Sequence, residues 1–125
     1  MLIKKIGLAC ILLAGTAAPA LADPSSCSEP IAPVAVDGGN ATEAQMNSAH
    51  DDVVNFVKAS DDYQSCLFRD LNAQADAAKK AKKDLDPSIT ADIQARVDAN
   101  QKMKEKVGTE FNGAVLAFKA KHPNG

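Results

Sequence analysis

Aromatic residues are scarce in this chain, with no Trp, one Tyr and four Phe in 125 residues. Any core must rest on aliphatic side chains and alanine. Histidine is scarcer still: only His50 and His122. The sequence lacks Gly-x-Ser-x-Gly, Ser-x-x-Lys, His-Glu-x-x-His and the Gly-rich phosphate loop. The acid pairs Asp51-Asp52 and Asp61-Asp62 lack the alternating oxygens, central Gly and closing Glu of a calcium loop. Adjacent carboxylates on a helix point about 100° apart; beside His50 they would make a surface metal site at most. Basic residues do not dominate (14 Lys and Arg against 16 Asp and Glu), so nucleic acid is not an implied partner. The length excludes a two-substrate enzyme with its own cofactor domain, and the 46% hydrophobic content excludes a disordered chain. What remains is one small domain, expected to be non-enzymatic.

Long apolar runs are also lacking, except at the start. Lys4 and Lys5 precede an apolar run from Ile6 to Ala14, and Ala20-Leu21-Ala22 presents small residues where a signal peptidase reads them. The run is shorter than the roughly 20 apolar residues a bilayer span needs. Residues 1–22 read as an export leader cleaved after Ala22, which gives a periplasmic address. A lipidated Cys10 would need Leu one position earlier than Leu8 stands, so Cys10 is expected to leave with the leader. Loss of Lys4 and Lys5 takes the formal charge from −2 to −4. Cys27 and Cys66 remain, and in an oxidising compartment two cysteines most simply form one disulfide.

Residues 23–41 form an arm punctuated by Pro24, Pro30 and Pro33 and closed by Asp37-Gly38-Gly39-Asn40. Proline fixes φ and turns its predecessor away from helix, so the arm should be extended and then turn. Thr42-Glu43-Ala44-Gln45 matches a capping box that opens a helix. Apolar residues then recur at helical spacing from Met46 to Leu85, a run of about 40 residues that is long enough to kink or break. Asp86-Pro87-Ser88 is a stop and a restart. The second helix carries Ile89, Ile93, Val97, Val107, Phe111, Ala114, Val115 and Phe118 on one stripe, weakened in its middle by Asn100 and Lys104. Gly108 and Gly113 interrupt it, and close packing would be the usual reason to keep them. Pro123 ends the helix and leaves 123–125 as a tail.

The expected fold is all-α: an antiparallel hairpin over 42–122, of coiled-coil type, with the arm pinned by a Cys27–Cys66 disulfide. Reach permits the bond. The arm from Cys27 to Thr42 spans up to about 50 Å extended, and Cys66 lies about 36 Å along the helix from Thr42. Ile31, Val34 and Val36 would then cover part of the apolar face. The tip would lie near Asp86, with the Val53/Phe56 region beside Phe118 and the aromatics gathered at the open end. Uncovered stripes of this length would favour a homodimer.

The pattern Cys27-x2-Pro30-x2-Pro33-x3-Asp37-Gly38, then Ala41-Thr42, Met46 and Tyr63-x2-Cys66-Leu67, resembles a group of small exported helical proteins of Gram-negative bacteria. So does the ending Phe111-Asn112 with Phe118-Lys119-Ala120. The resemblance implies a periplasmic address and carries over no catalytic residue.

Charge is polarised. Residues 23–76 hold 10 acids and 2 bases, whereas 77–125 hold 6 acids and 10 bases. Lys79, Lys80, Lys82 and Lys83 cluster near the tip and could touch an anionic envelope surface, although lysines there also suit the helix dipole. No cofactor is expected. Were a metal or haem held, Met46 and His50, four apart on one face, and His122 near the far end of the second helix would be its ligands. Against that stand the position of His122 on a fraying end and the presence of only two helices. Three functions follow from this reading: a binding or structural module, a chaperone-like shield for exported chains, and a haem or metal carrier.

Overall fold

The computed structural model describes residues 26–124. The leader expected over 1–22, and Cys10 with it, lies outside the described residues. Two helices, α1 (Glu43–Lys80) and α2 (Pro87–Lys121), pack against each other as a hairpin, and no strand occurs among the described residues. α1 is continuous over 38 residues, about 57 Å at 1.5 Å per residue.

The helix ends follow from local hydrogen bonding. The Gln45 backbone N–H donates to Thr42 Oγ1 at 3.2 Å, and the Thr42 N–H donates to Gln45 Oε1 at 2.8 Å. This is the reciprocal capping box expected from the sequence. α1 stops at Lys80, short of the run to Leu85 that periodicity had implied. Its last carbonyls are taken by the Lys82 N–H, donating to Lys79 O at 3.0 Å, and the Lys83 N–H, donating to Ala78 O at 2.9 Å. Lys82 adopts a left-handed φ of 53° to make this reversal, a position that usually goes to glycine. Pro87 begins α2, and Asp86 caps it by accepting from the Ser88 N–H at 2.9 Å. The Ser88 hydrogen bonds hold the Asp86 carboxyl below the usual carboxylate range.

Inward residues alternate in steps of three and four. On α1 they are Met46, Ala49, Val53, Phe56, Ser60, Tyr63 and Leu67; on α2 they are Ile93, Val97, Asn100, Lys104, Val107, Phe111, Ala114 and Phe118. That is the spacing of a two-stranded helical seam. Tyr63, Leu67, Ile93 and Val97 form one core cluster, joined by Cys27, Leu71 and Ile89. Ala41, Met46 and Ala114 form another at the open end, joined by Val36, Phe111, Val115 and Phe118. Phe118 therefore packs by Met46 and not beside Val53 and Phe56, and Tyr63 lies in the other cluster, away from the open end.

Between the clusters runs a polar layer. Asn100 is 1% exposed and Ser60 fully buried. Asn100 Nδ2 donates to Ser60 Oγ at 3.1 Å, and Gln64 Nε2 donates to Asn100 Oδ1 at 2.8 Å. The Lys104 ammonium crosses to the Asp61 carboxylate. What the sequence shows as a weakened stripe is thus a matched set of partners, and no buried side-chain polar atom among the described residues lacks one.

The arm is pinned twice. Cys27 and Cys66 are bonded, with Cα atoms 5.7 Å apart. Closing a loop of about 40 residues contributes about 4 kcal/mol in the chain-entropy model. At the other pin, the 37–40 turn sets Gly38 against the α2 backbone: a Cβ on Gly38 would lie 1.8 Å from Ala114 O. Between the pins Cys27, Pro30, Pro33 and Val36 are half-buried, a period of three that fits a polyproline-type strand. Ile31 and Val34 fall on another edge of that strand and are 93% and 94% exposed. They do not cover the hairpin as expected; of the three, only Val36 does. Gly108 and Gly113 also depart from expectation, because a Cβ at either would meet nothing within 4 Å.

The glycines give opposite expectations. Gly38→Ala should destabilise by about 1–3 kcal/mol through overpacking, whereas Gly108→Ala and Gly113→Ala should each stabilise by roughly 1 kcal/mol. Urea unfolding of the three variants checks the contrast; equal shifts would contradict the packing of the 37–40 turn on α2. For Asp86, the Ser88 hydrogen bonds set the folded pKa below the unfolded one, so the cap contributes above the unfolded value and is lost as pH falls through the lower folded value. The melting-temperature gap between wild type and Asp86→Ala should be present at neutral pH and shrink as acid protonates the Asp86 carboxylate.

Candidate binding groove at the open end

The open end of the hairpin joins the start of α1, the end of α2 and the residue between turn and cap, Ala41. The capping box fixes the direction in which α1 leaves the turn, and the Gly38 contact holds that turn on α2. Between the two helices opens a groove of about 770 Å³, within the range of small-molecule sites. Its floor is apolar: Ala41, Met46, Phe111, Val115 and Phe118. Its rim is polar and includes Glu43, Asn47, His50, Lys119 and His122.

Both histidines belong to this rim, and each ring rests on a phenylalanine. The His50 ring meets Phe111 at 5.9 Å between centroids, tilted by 53°. The His122 ring stacks on Phe118 at 4.2 Å and 25°. His122 is the C-cap of α2, and its backbone N–H reaches the carbonyls of Phe118 and Lys119. Its Nδ1 also lies 3.0 Å from Phe118 O. A carbonyl only accepts, so Nδ1 carries the proton and the neutral ring keeps its lone pair on Nε2. The fraying end expected for His122 is instead tied by stacking and three hydrogen bonds. His50 Nδ1 faces Asp51 Oδ1 at 3.4 Å.

Met46, His50 and His122, the three candidate metal ligands, thus line one groove. The acid pairs do not join them: Asp51 sits beside the His50 ring and Asp61 pairs with Lys104. Among the described residues no three His, Cys, Asp or Glu side chains converge on a point where an ion could sit. The four lysines lie at the opposite end. Lys79 and Lys80 fall in the last turn of α1 and Lys82 and Lys83 in the loop, all exposed. Asp76 precedes them and Asp84 and Asp86 follow, so the tip carries mixed charge. Tyr63 is the one buried titratable group near the arm. Burial first, then the Glu29 charge, push its phenol above the ordinary value, while Arg96 pulls it back.

A second open groove, about 650 Å³, runs between the arm and α1 past Ile31, Val34 and Phe56. No helix among the described residues is long and apolar enough to cross a membrane. No family model, curated protein or solved structure matches this chain. The case for function therefore rests on the chemistry of the groove.

Sequence reasoning picked out Met46, His50 and His122 and expected aromatics at the open end, but it read Phe111 and Phe118 as core and not as groove walls. Phe111 and Phe118 are seven apart on the same stripe as Ala114 and Val115. That spacing reads as core until both rings are seen to line the groove.

At the tip, Lys82 holds a conformation that costs a non-glycine residue about 1–2 kcal/mol. Lys82→Gly should raise stability by about 1 kcal/mol in urea unfolding; an unchanged midpoint would show that the left-handed turn is not populated in solution.

Proposed function

We propose that this chain is exported, is cleaved after Ala22, and works in the periplasm as a small non-enzymatic binding protein whose ligand seats in the open-end groove. The observation that carries this reading is the continuous apolar floor bounded by a polar rim, built on two helices joined across the polar layer and braced by an arm that the disulfide ties to α1 and Gly38 seats on α2. A site on such elements is pre-organised, so little ordering cost falls on ligand binding. The disulfide is compatible with an oxidising compartment. The non-enzymatic part is supported by the disulfide, which leaves neither Cys27 nor Cys66 as a thiol nucleophile.

A chaperone-like role draws less support. The exposed apolar residues Ile31 and Val34, Val54 and Phe68, and Met103 and Leu116 are spread over the arm and both helices. Shielding an unfolded chain calls for a contiguous patch of several hundred Å². Mixed charge at the tip likewise weakens an anionic-surface role for Lys79, Lys80, Lys82 and Lys83.

The test is binding of an apolar fluorescent dye, anilinonaphthalene sulfonate, to the disulfide-bonded protein. Val115→Trp fills the groove and should weaken binding at least tenfold. Leu116→Trp, at the neighbouring position that is 69% exposed, should leave it unchanged. Equal dye binding by wild type and Val115→Trp would reject the groove as the site.

A further inference from the structure

We infer that the ligand of the open-end groove is a free fatty acid of medium chain length, its chain laid along Phe111, Val115 and Phe118 and its carboxylate at Lys119. This inference rests on the reading of the groove as a ligand site and names the class of that ligand.

The shape of the apolar surface comes first. Phe111, Val115 and Phe118 follow one another on α2 at steps of four and three, which sets them along a single face. All three are half-buried and keep part of their surface open, whereas Ala41 and Met46 beneath are 8% and 7% exposed. The accessible apolar surface is therefore a narrow strip on one helix. From Phe111 to Phe118 it runs about 10 Å at 1.5 Å per residue, the length of an extended chain of about ten carbons. The strip carries no polar side chain. A peptide laid on it would press N–H and C=O groups against a surface with no partner for them. A methylene chain brings no such groups, bends to follow the strip and needs no second wall opposite. A groove of about 770 Å³ holds such a chain and leaves its other side to water.

The charges at the two ends of the strip give the chain a head and a direction. At the Phe111 end they are acidic: Glu110 precedes Phe111, and Asp51 Oδ1 lies 3.4 Å from the His50 ring nitrogen. At the Phe118 end Lys119 stands on the rim, exposed and in no ion pair among the described residues. Glu43 shares that rim, but from the first turn of α1, where the helix dipole already favours its carboxylate. The His122 ring gives its Nδ1 proton to the Phe118 carbonyl and stacks on Phe118, so the Lys119 ammonium is the group left to meet an anionic head. An apolar chain that ends in one carboxylate matches both the strip and its charged end.

Displacement of anilinonaphthalene sulfonate from the full, disulfide-bonded protein by a series of fatty acids, from hexanoate to tetradecanoate, tests the inference. Decanol and decylamine serve as head-group controls. Affinity should rise about fourfold per added methylene, the worth of burying one CH₂, and level off near ten carbons, where the strip ends. Lys119→Gln, at an exposed position, should weaken decanoate about fivefold, the upper range for an exposed ion pair, and leave decanol unchanged. Lys121→Gln, exposed and off the rim, should change neither. An affinity independent of chain length would overturn the inference. So would decanol or decylamine binding as tightly as decanoate, or equal responses to Lys119→Gln and Lys121→Gln. Tighter binding of decyl phosphocholine than of decanoate would overturn it in favour of a phospholipid. Dye bound in the groove and displaced by no fatty acid would overturn it too and leave the groove reading standing; dye binding that Val115→Trp leaves unchanged would overturn both.

Discussion

Two helices share a single seam, and that constraint governs the rest of the molecule. In a larger bundle each helix is held by several neighbours, whereas here α1 and α2 have each other and the arm. A core built on one seam is thin, and chains of this size commonly need covalent help. The arm supplies it at two points of different physical kind. The Cys27–Cys66 bond acts mainly on the unfolded chain by closing a long loop. The Gly38 contact acts on the folded chain by letting one backbone lie directly on another. Together they make an extended segment with few backbone hydrogen bonds of its own behave as a third element of the fold.

The polar layer meets a second requirement of the same geometry. An apolar seam with a regular three-four repeat can slide by a heptad and still bury its stripe. Asn100 can satisfy its amide only opposite Ser60 and Gln64, and Lys104 meets Asp61 in the same alignment. Slipping by one heptad would strand a buried amide, at a cost of about 1–3 kcal/mol. Register therefore rests on these few polar atoms. Register also decides which residues of α2 face the start of α1, and so the composition of the open-end groove. A change at Asn100, about ten residues from the groove, would reach the groove by this route.

The parts of the fold legible in the sequence are those written in local chemistry. The capping box at Thr42, the Asp86-Pro87 restart and the pairing of Cys27 with Cys66 each depend on residues whose roles could be read from the sequence alone. The parts that were not legible depend on contacts between segments. Nothing near Lys82 announces a left-handed turn; lysine takes that conformation where the chain closes the last carbonyls of α1. Ile31 and Val34 look like core residues by composition, yet a three-residue period turns them outward while the prolines face in. Asn100 reads as a flaw in a stripe until its partner, forty residues away, is known. The candidate site divides in the same way. Met46, His50 and His122 were visible by residue type, but their meeting in one groove required the register.

The two ends of the hairpin differ for a reason that follows from chain length. The tip closes on itself through a short loop whose residues are spent on capping α1 and starting α2. At the open end the helices are not joined to each other, so the last turns of α2 carry Phe111, Val115 and Phe118 past the point where the seam is fully covered. Burying that strip would require a further helix or a ligand. A ligand seated there touches both helices and lies next to Ala41, immediately after the turn that Gly38 anchors, so its binding free energy adds to the stability of the arm and the hairpin together. Occupancy and fold stability are therefore linked: the end with the least intrinsic cover gains the most from being filled, and the groove is a consequence of building a domain from one seam.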